Sequence, residues 1–201
     1  MKIIDNFLTK TYHKNILEIL AGDKFEWVYN DNITGPAWTA QMAHPEPPHF
    51  NEYGFTHTFW NEEYGATSPF APFIQPLLYQ ILDITNCDLI WRARADMVTW
   101  SKEDFIYPAH IDYPFPNTGS VFYVNESDGD TIFYNAKRTD VADYKDLKEY
   151  DRVSPKANRL VLFDGDFLHT GCSPTKHKQR ILINSNYIKQ HDKRQALEEF
   201  S

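Results

Sequence analysis

Two stretches of the chain space their apolar residues three or four apart, as a helix with one buried face does. In the first, Tyr12, Ile16, Ile19 and Leu20 share a face, with Thr9 or Thr11 as the cap and Gly22 as the stop. In the second, from about residue 69 to residue 84, Phe70, Phe73, Leu77 and Ile81 recur, and Pro76 predicts a kink or restart because it brings no backbone donor. From residue 88 onward the texture changes to strand-like runs at 89–100, 105–110, 120–125, 131–134, 159–163 and 180–188. Asp128-Gly129 lies between two of them and predicts a hairpin, since Asp-Gly readily takes the positive φ values of tight turns. Between the helices, residues 35–65 are rich in Pro, His, Trp and Asn without a clean period, the texture of a lid, a binding segment or a surface wrap. After the last run, Asp192 is placed to cap a short terminal helix from Lys193 to Phe200.

Two packing helices followed by a row of strands predict a mainly β (α+β) domain. At 201 residues a single domain, 1–201, is expected, with a helix-and-loop part over 1–86 and a β core over 87–190. A net charge of −8 repels a phosphate backbone, so no nucleic-acid partner is expected. The basic residues near the end, Lys176, Lys178, Arg180, Lys189, Lys193 and Arg194, read as a solvated surface. Cys87 and Cys172 form no Cys-x-x-Cys pair, which fits a reducing compartment. The first residues lack a signal-peptide apolar run and no stretch is long enough to span a bilayer, so a soluble, cytoplasmic protein is expected.

Candidate chemistry concentrates in the β half. In His110-Ile111-Asp112 a period of two turns the imidazole and the carboxylate to one face and Ile111 to the other. These are two corners of the two-histidine, one-carboxylate facial triad that leaves positions open on iron(II). Alone the motif says little, because with 8 His and 28 acidic residues roughly one such match arises by chance. His44-Pro45-Glu46 is a rival match in the Pro-rich segment. What distinguishes the first is its sequel: the run 159–168 reads as a buried strand, a tight turn and a second short strand that presents His169. Arg180 then opens an apolar strand in which Arg180, Leu182, Asn184 and Asn186 alternate onto one face. A guanidinium entering a strand interior is costly without an anion, and its fork matches a carboxylate, that of a bound dicarboxylate or of an acidic residue in an internal salt bridge.

His110-x-Asp112, His169 and Arg180, in this order and spacing, resemble the 2-oxoglutarate- and iron(II)-dependent dioxygenase superfamily, particularly its prolyl-hydroxylase-like branch. The likeness extends over about residues 88–188. Met97-Val98 with Trp100 stands where the family has the strand before its metal loop, Trp100 at the place of a co-substrate-contacting tyrosine in some members. Tyr123-Val124-Asn125 is similar to a Tyr-Leu-Asn strand end whose tyrosine helps bind 2-oxoglutarate. Gly129-Asp130-Thr131-Ile132-Phe133 is similar to a Gly-Gly-x-Leu-x-Phe strand, with Asp130 in place of the second glycine.

The resemblance implies a double-stranded β-helix, the cupin-like jelly roll, with helices packed outside one sheet. It implies Fe(II) held by His110, Asp112 and His169, and O2 and 2-oxoglutarate as co-substrates. Arg180 and Tyr123 would hold the far carboxylate, with Trp100 and Asn184 as further cofactor contacts. The expected reaction hydroxylates a peptide side chain or small metabolite and releases succinate and CO2; because Asp112 fills the position that halogenating relatives leave to chloride, halogenation is not expected. The competing reading is a cupin-like metal-dependent isomerase or a non-catalytic ligand-binding jelly roll, which has no need of Arg180. Arg92 and Arg94, alternating with Ala93 and Ala95, read as solvent-facing, with an anionic substrate as the alternative. Trp38, His49, Trp60 and Tyr64 are candidates for the substrate mouth.

Overall fold

Strands whose two faces are both covered carry near-continuous apolar sequence, and the runs after residue 88 form such strands. A computed structural model describes residues 1–34, 52–137 and 146–200. Among these, the order is β1 (Lys2–Asp5), α1 (Lys10–Leu20), β2 (Val28–Asn30), β3 (Gly54–Asn61), β4 (Gly65–Ala66), α2 (Ala71–Ile84), β5 (Leu89–Thr99), β6 (Thr118–Tyr123), β7 (Thr131–Lys137), β8 (Glu149–Val153), β9 (Arg159–Asp164), β10 (Phe167–Gly171), β11 (Gln179–Ile188) and α3 (Lys193–Phe200). The major sheet runs β1-β9-β6-β11-β5-β3-β2 with β4 beside β3, and the minor sheet runs β10-β7-β8. From β5 onward the chain moves from one sheet to the other and back, giving the double-stranded β-helix, a jelly roll.

Side-chain parity divides each central strand between two cores. In β6, Val121 and Tyr123 pack inward with Val161, Phe163 and Leu182 against Phe133 and Val153 of the minor sheet. Phe122 of the same strand points outward, into the cluster that α1 and α2 bury against the major sheet through Ile16, Leu20, Ile74, Leu77, Leu78 and Ile81. The helices therefore lie outside one sheet, and no helix among the described residues is long and apolar enough to cross a membrane.

Three local expectations are corrected. Residues 54–61, read as part of an irregular segment, form β3, because Gly54, His57 and Phe59 are buried while pairing fixes Phe55 against Met97 and His57 against Ala95. Residues 105–110 are not a strand but an extended loop pinned to the edge of β10 by single bridges, Ile106 with Cys172 and His110 with His169. Asp128-Gly129 is not a hairpin turn, since β6 and β7 belong to different sheets. Its carboxylate instead accepts from the Thr175, Lys176 and His177 backbone N–H groups, which ties the sheet crossing to the turn before β11.

Pro76 lies within α2 without ending it. Near it the Tyr12 hydroxyl from α1 donates to the Phe73 carbonyl at 2.7 Å and accepts from the Leu77 N–H at 3.2 Å. These are the two groups an unbroken helix would pair with each other, so the phenol bridges the opening beside the proline and fastens α1 to α2. Tyr12→Phe leaves both groups part-buried and unpaired, and is expected to lower unfolding stability by about 1–3 kcal/mol in urea titrations.

Candidate metal centre

The two histidines face each other across a reciprocal backbone pair. His110 N–H donates to the His169 carbonyl and His169 N–H to the His110 carbonyl, both at 2.9 Å. Residues paired in this way project side chains to the same side, and the two imidazole centroids lie 4.7 Å apart. Two residues further on, Asp112 returns to that side, while Ile111 enters the cluster with Ile132 and Leu168 on the opposite face of the minor sheet.

Each ring is oriented by a carbonyl two residues before it: His110 Nδ1 reaches Pro108 O at 3.0 Å and His169 Nδ1 reaches Phe167 O at 3.2 Å. A carbonyl only accepts, so Nδ1 is the protonated nitrogen in both rings, and Nε2 is the atom whose lone pair can reach a metal. Those atoms stand 3.9 Å and 4.0 Å from the Asp112 carboxylate oxygens, and the three ligand atoms all lie within 4.8 Å of one another. His169 Nε2 is buried with no hydrogen-bond partner. An orphaned lone pair beside a second imidazole and a carboxylate fits a cation, and this donor set with open neighbouring positions fits iron(II).

Asp112 is held as an anion from the major sheet. Arg92 donates to Oδ1 at 3.2 Å, and Asn186 and Asn184 donate to Oδ2 at 2.9 Å and 3.3 Å. Burial alone would raise its pKa, but the Arg92 charge, the nearby imidazoles and the Asn186 amide hold it well below the usual carboxylate range. Burial, together with His169 alongside, pushes the His110 imidazole down to about 4 against the opposing pull of Asp112.

Arg180 is 6% exposed, at the entry of β11. Two glycines make its slot: a Cβ on Gly171 would stand 2.7 Å from Arg180 Nη1, and one on Gly129 would stand 2.3 Å from the Cys172 carbonyl and 3.1 Å from Arg180 Cδ. Its Nη2 donates to Thr131 Oγ1 at 2.6 Å and its guanidinium lies over the Tyr123 ring at 5.7 Å. The Nε is buried with no hydrogen-bond partner, and among the described residues no carboxylate lies within ion-pair distance of this arginine. The Tyr123 hydroxyl also donates to Thr131 Oγ1, at 2.6 Å. With two donors directed at it, the threonine oxygen has its own proton left to offer. Thr131, Tyr107 and Arg180 line the same cavity of about 270 Å³ as His110, Asp112 and His169.

Other sequence-derived candidates fall differently. Asn184 lines the cavity but is occupied between Asp112 and Arg92. Trp100 is 55% exposed and donates to the Thr175 carbonyl, outside the cavity, so its co-substrate contact is corrected. Its strand has ended at Thr99, and the following loop turns the indole to the surface. Arg92 and Arg94 were read as solvent-facing, yet both line the cavity, because Ala93 and Ala95 take the face packed under the helices. Of the basic residues near the end, Arg180 lies in the interior, as its place at the start of an apolar strand predicts. Trp60 packs against the helical core and donates to the Ile90 carbonyl, and Tyr64 is 71% exposed; neither lines the cavity. Trp38, His49 and the rival His44-Pro45-Glu46 lie outside the described residues. The sequence assigns no site role to Thr131 or Tyr107, none to Arg92 toward Asp112, and reads Asn186 only as an alternating residue; their shared signal is a polar side chain on the inward parity of a buried strand, or beside one.

Residues 96–188 match the family model described as the 2OG-Fe(II) oxygenase superfamily. No curated protein matches the sequence. Among solved structures, a prolyl hydroxylase from Trichoplax adhaerens, in complex with a hypoxia inducible factor oxygen degradation domain peptide fragment, superposes with a TM-score of 0.62 at 13% identity, covering 97% of this chain and 86% of that one. A prolyl-4-hydroxylase from Pseudomonas putida gives 0.58 at 14% identity, covering 94% and 92%. The non-heme alpha ketoglutarate dependent epimerase SnoN from nogalamycin biosynthesis gives 0.63 at 10% identity, covering 93% and 76%.

The Asn186 amide to the carboxylate oxygen sets how firmly Asp112 is aimed, so Asn186→Leu is expected to weaken Co(II) binding about 10- to 100-fold in a spectral titration. In the metal-free protein, His110 binds its proton near pH 4 when folded and near 6.5 when unfolded. Between those values the unfolded chain holds more protons, so stability falls as pH drops through the window, and His110→Gln is expected to flatten that slope in urea titrations.

Proposed function

We propose that this chain, a member of the 2OG-Fe(II) oxygenase superfamily through its residues 96–188, hydroxylates a C–H bond of a peptide side chain or small metabolite. Iron(II), 2-oxoglutarate and O2 supply the chemistry: decarboxylation of 2-oxoglutarate to succinate and CO2 is coupled to oxidation of the substrate. His110, Asp112 and His169 hold the metal. The carbonyls of Pro108 and Phe167 keep both Nε2 lone pairs directed at it, and Arg92, Asn184 and Asn186 keep Asp112 ionised and aimed. Arg180 receives the far carboxylate of 2-oxoglutarate, Thr131 adds its free proton, and Tyr123 fixes Thr131 from behind. Val121 and Leu182 give that part of the cavity an apolar wall that excludes water.

The observation that carries this reading is Arg180: a buried guanidinium with an unpartnered Nε, opening into the cavity of the metal cluster. A buried cation of this kind asks for a bidentate anion from outside the protein. An isomerase or ligand-binding jelly roll needs no such group. The prolyl hydroxylases among the similar structures support a hydroxylating outcome, and the carboxylate at Asp112 argues against halogenation.

Anaerobic iron(II)-loaded protein is expected to develop a visible charge-transfer absorption on adding 2-oxoglutarate. In Arg180→Ala the affinity read from that band should fall roughly 100-fold or more, as when one partner of a buried charge pair is removed. Asp112→Ala should abolish succinate formation in air. Absence of the band in the wild-type protein would overturn the assignment.

A further inference from the structure

Arg92 and Arg94 leave β5 on the same face, two residues apart, and both enter the cavity. Arg92 spends Nη2 on Asp112 and Asn184, while its Nε is buried without a partner. Arg94 is clamped by Asp96 through Nε at 2.5 Å and Nη2 at 3.1 Å, with a weaker contact from Nη2 to Ile33 O at 3.4 Å. Of the ten N–H donors that two guanidiniums carry, these contacts use five, and neither Nη1 is engaged among the described residues. The Asp96 clamp also fixes the Arg94 fork in place, so little ordering remains to be lost on binding.

Charge points the same way. Three arginines, 92, 94 and 180, and two aspartates, 96 and 112, line the cavity among the described residues, so guanidiniums outnumber carboxylates by one. Iron(II) and the 2-oxoglutarate dianion cancel, so the surplus survives when both are bound. Arg94 pairs in register with Asn184 and Val98 with Arg180, which sets Arg94 four residues, about 13 Å along the strand pair, from the co-substrate arginine. On its other side β5 pairs with β3, Thr58 opposite Arg94.

We propose that the primary substrate carries a carboxylate, which docks on the free N–H groups of Arg94 and Arg92, with Arg94 as the specificity-determining residue. This rests on the co-substrate reading above, since it assigns Arg180 to 2-oxoglutarate and leaves the second pair to the substrate. Arg92 also positions Asp112, so Arg94 is the residue to vary.

The test is calorimetric titration of the anaerobic iron(II)- and 2-oxoglutarate-loaded protein with the free L-amino acids and with dipeptides bearing a free C-terminus, each against its carboxamide. Acids that bind should do so at least tenfold more tightly than their amides. Arg94→Gln should bring the two within about twofold, and Arg94→Gln/Asp96→Asn, which strands no buried carboxylate, should do the same. The charge-transfer band with 2-oxoglutarate should persist in both variants, which reports an intact metal and co-substrate site. The inference is overturned if no acid in the panel binds, if amides bind as well as acids, or if the preference survives in both variants. Loss of the band in the wild type would instead sink the co-substrate reading, so the two fail on different signals.

Discussion

Everything in the candidate site hangs on one pair of backbone hydrogen bonds, those exchanged between His110 and His169. The loop at residues 105–112 has no ladder of its own, and this bridge, with Ile106 and Cys172 further along, holds it against β10. Because directly opposed residues project to the same side, the bridge sets two imidazoles together before any metal is considered. Asp112 follows two residues later, and its carboxylate is received by Arg92, Asn184 and Asn186 from the facing sheet. The cluster is therefore also a seam: two ligands belong to the minor-sheet side, and the partners of the third to the major sheet.

Within the jelly roll the inward faces are of two kinds. Where Val121, Tyr123, Phe133, Val161 and Phe163 meet, the interior is a packed core. Along β5 and β11 the same parity brings Arg92, Arg94, Asp96, Arg180, Asn184 and Asn186 inward, where an apolar strand would place Val or Ile. Burying so many polar groups is tolerated because nearly every one has a partner: Arg92 with Asp112, Arg94 with Asp96, the amides with the carboxylate. The exceptions are informative. Among the described residues, His169 Nε2, Arg180 Nε, Arg92 Nε, Asn186 Oδ1 and Trp91 Nε1 are buried without protein partners, and the first two face what a metal and a dicarboxylate would supply.

Support from outside the roll comes through the helices on the major sheet. Central strands buried on both faces tolerate few changes in register, since a slip of one residue would exchange the helical core for the site. The Tyr12 bridge across the proline opening of α2 keeps that outer layer continuous despite a missing backbone donor.

Much of this was legible in the chain. The helical spacing of Tyr12, Ile16 and Leu20 and of Phe70, Leu77 and Ile81, and the strand alternation through 180–188, are local periodicities, and local steric rules turn them directly into α1, α2 and β11. His110, Asp112, His169 and Arg180 could be picked out because the spacing that brings side chains to one face is itself written in sequence. Parity, however, says which residues share a face and not which face is inside, so for Arg92 and Arg94 it leaves solvent and an anionic substrate both open, with solvent favoured; the helices that cover Ala93 and Ala95 turn both arginines inward. Trp100 was likewise placed by alignment of a strand that ends one residue earlier. The local preference of Asp128-Gly129 for a hairpin yielded to long-range pairing, which sends β6 and β7 to different sheets. The sequence singled out the candidate ligands and most of the elements around them, although it read the loop that carries His110 as a strand; only the closing of two sheets decided what those side chains face, because contacts between residues far apart in the chain leave no local period to read.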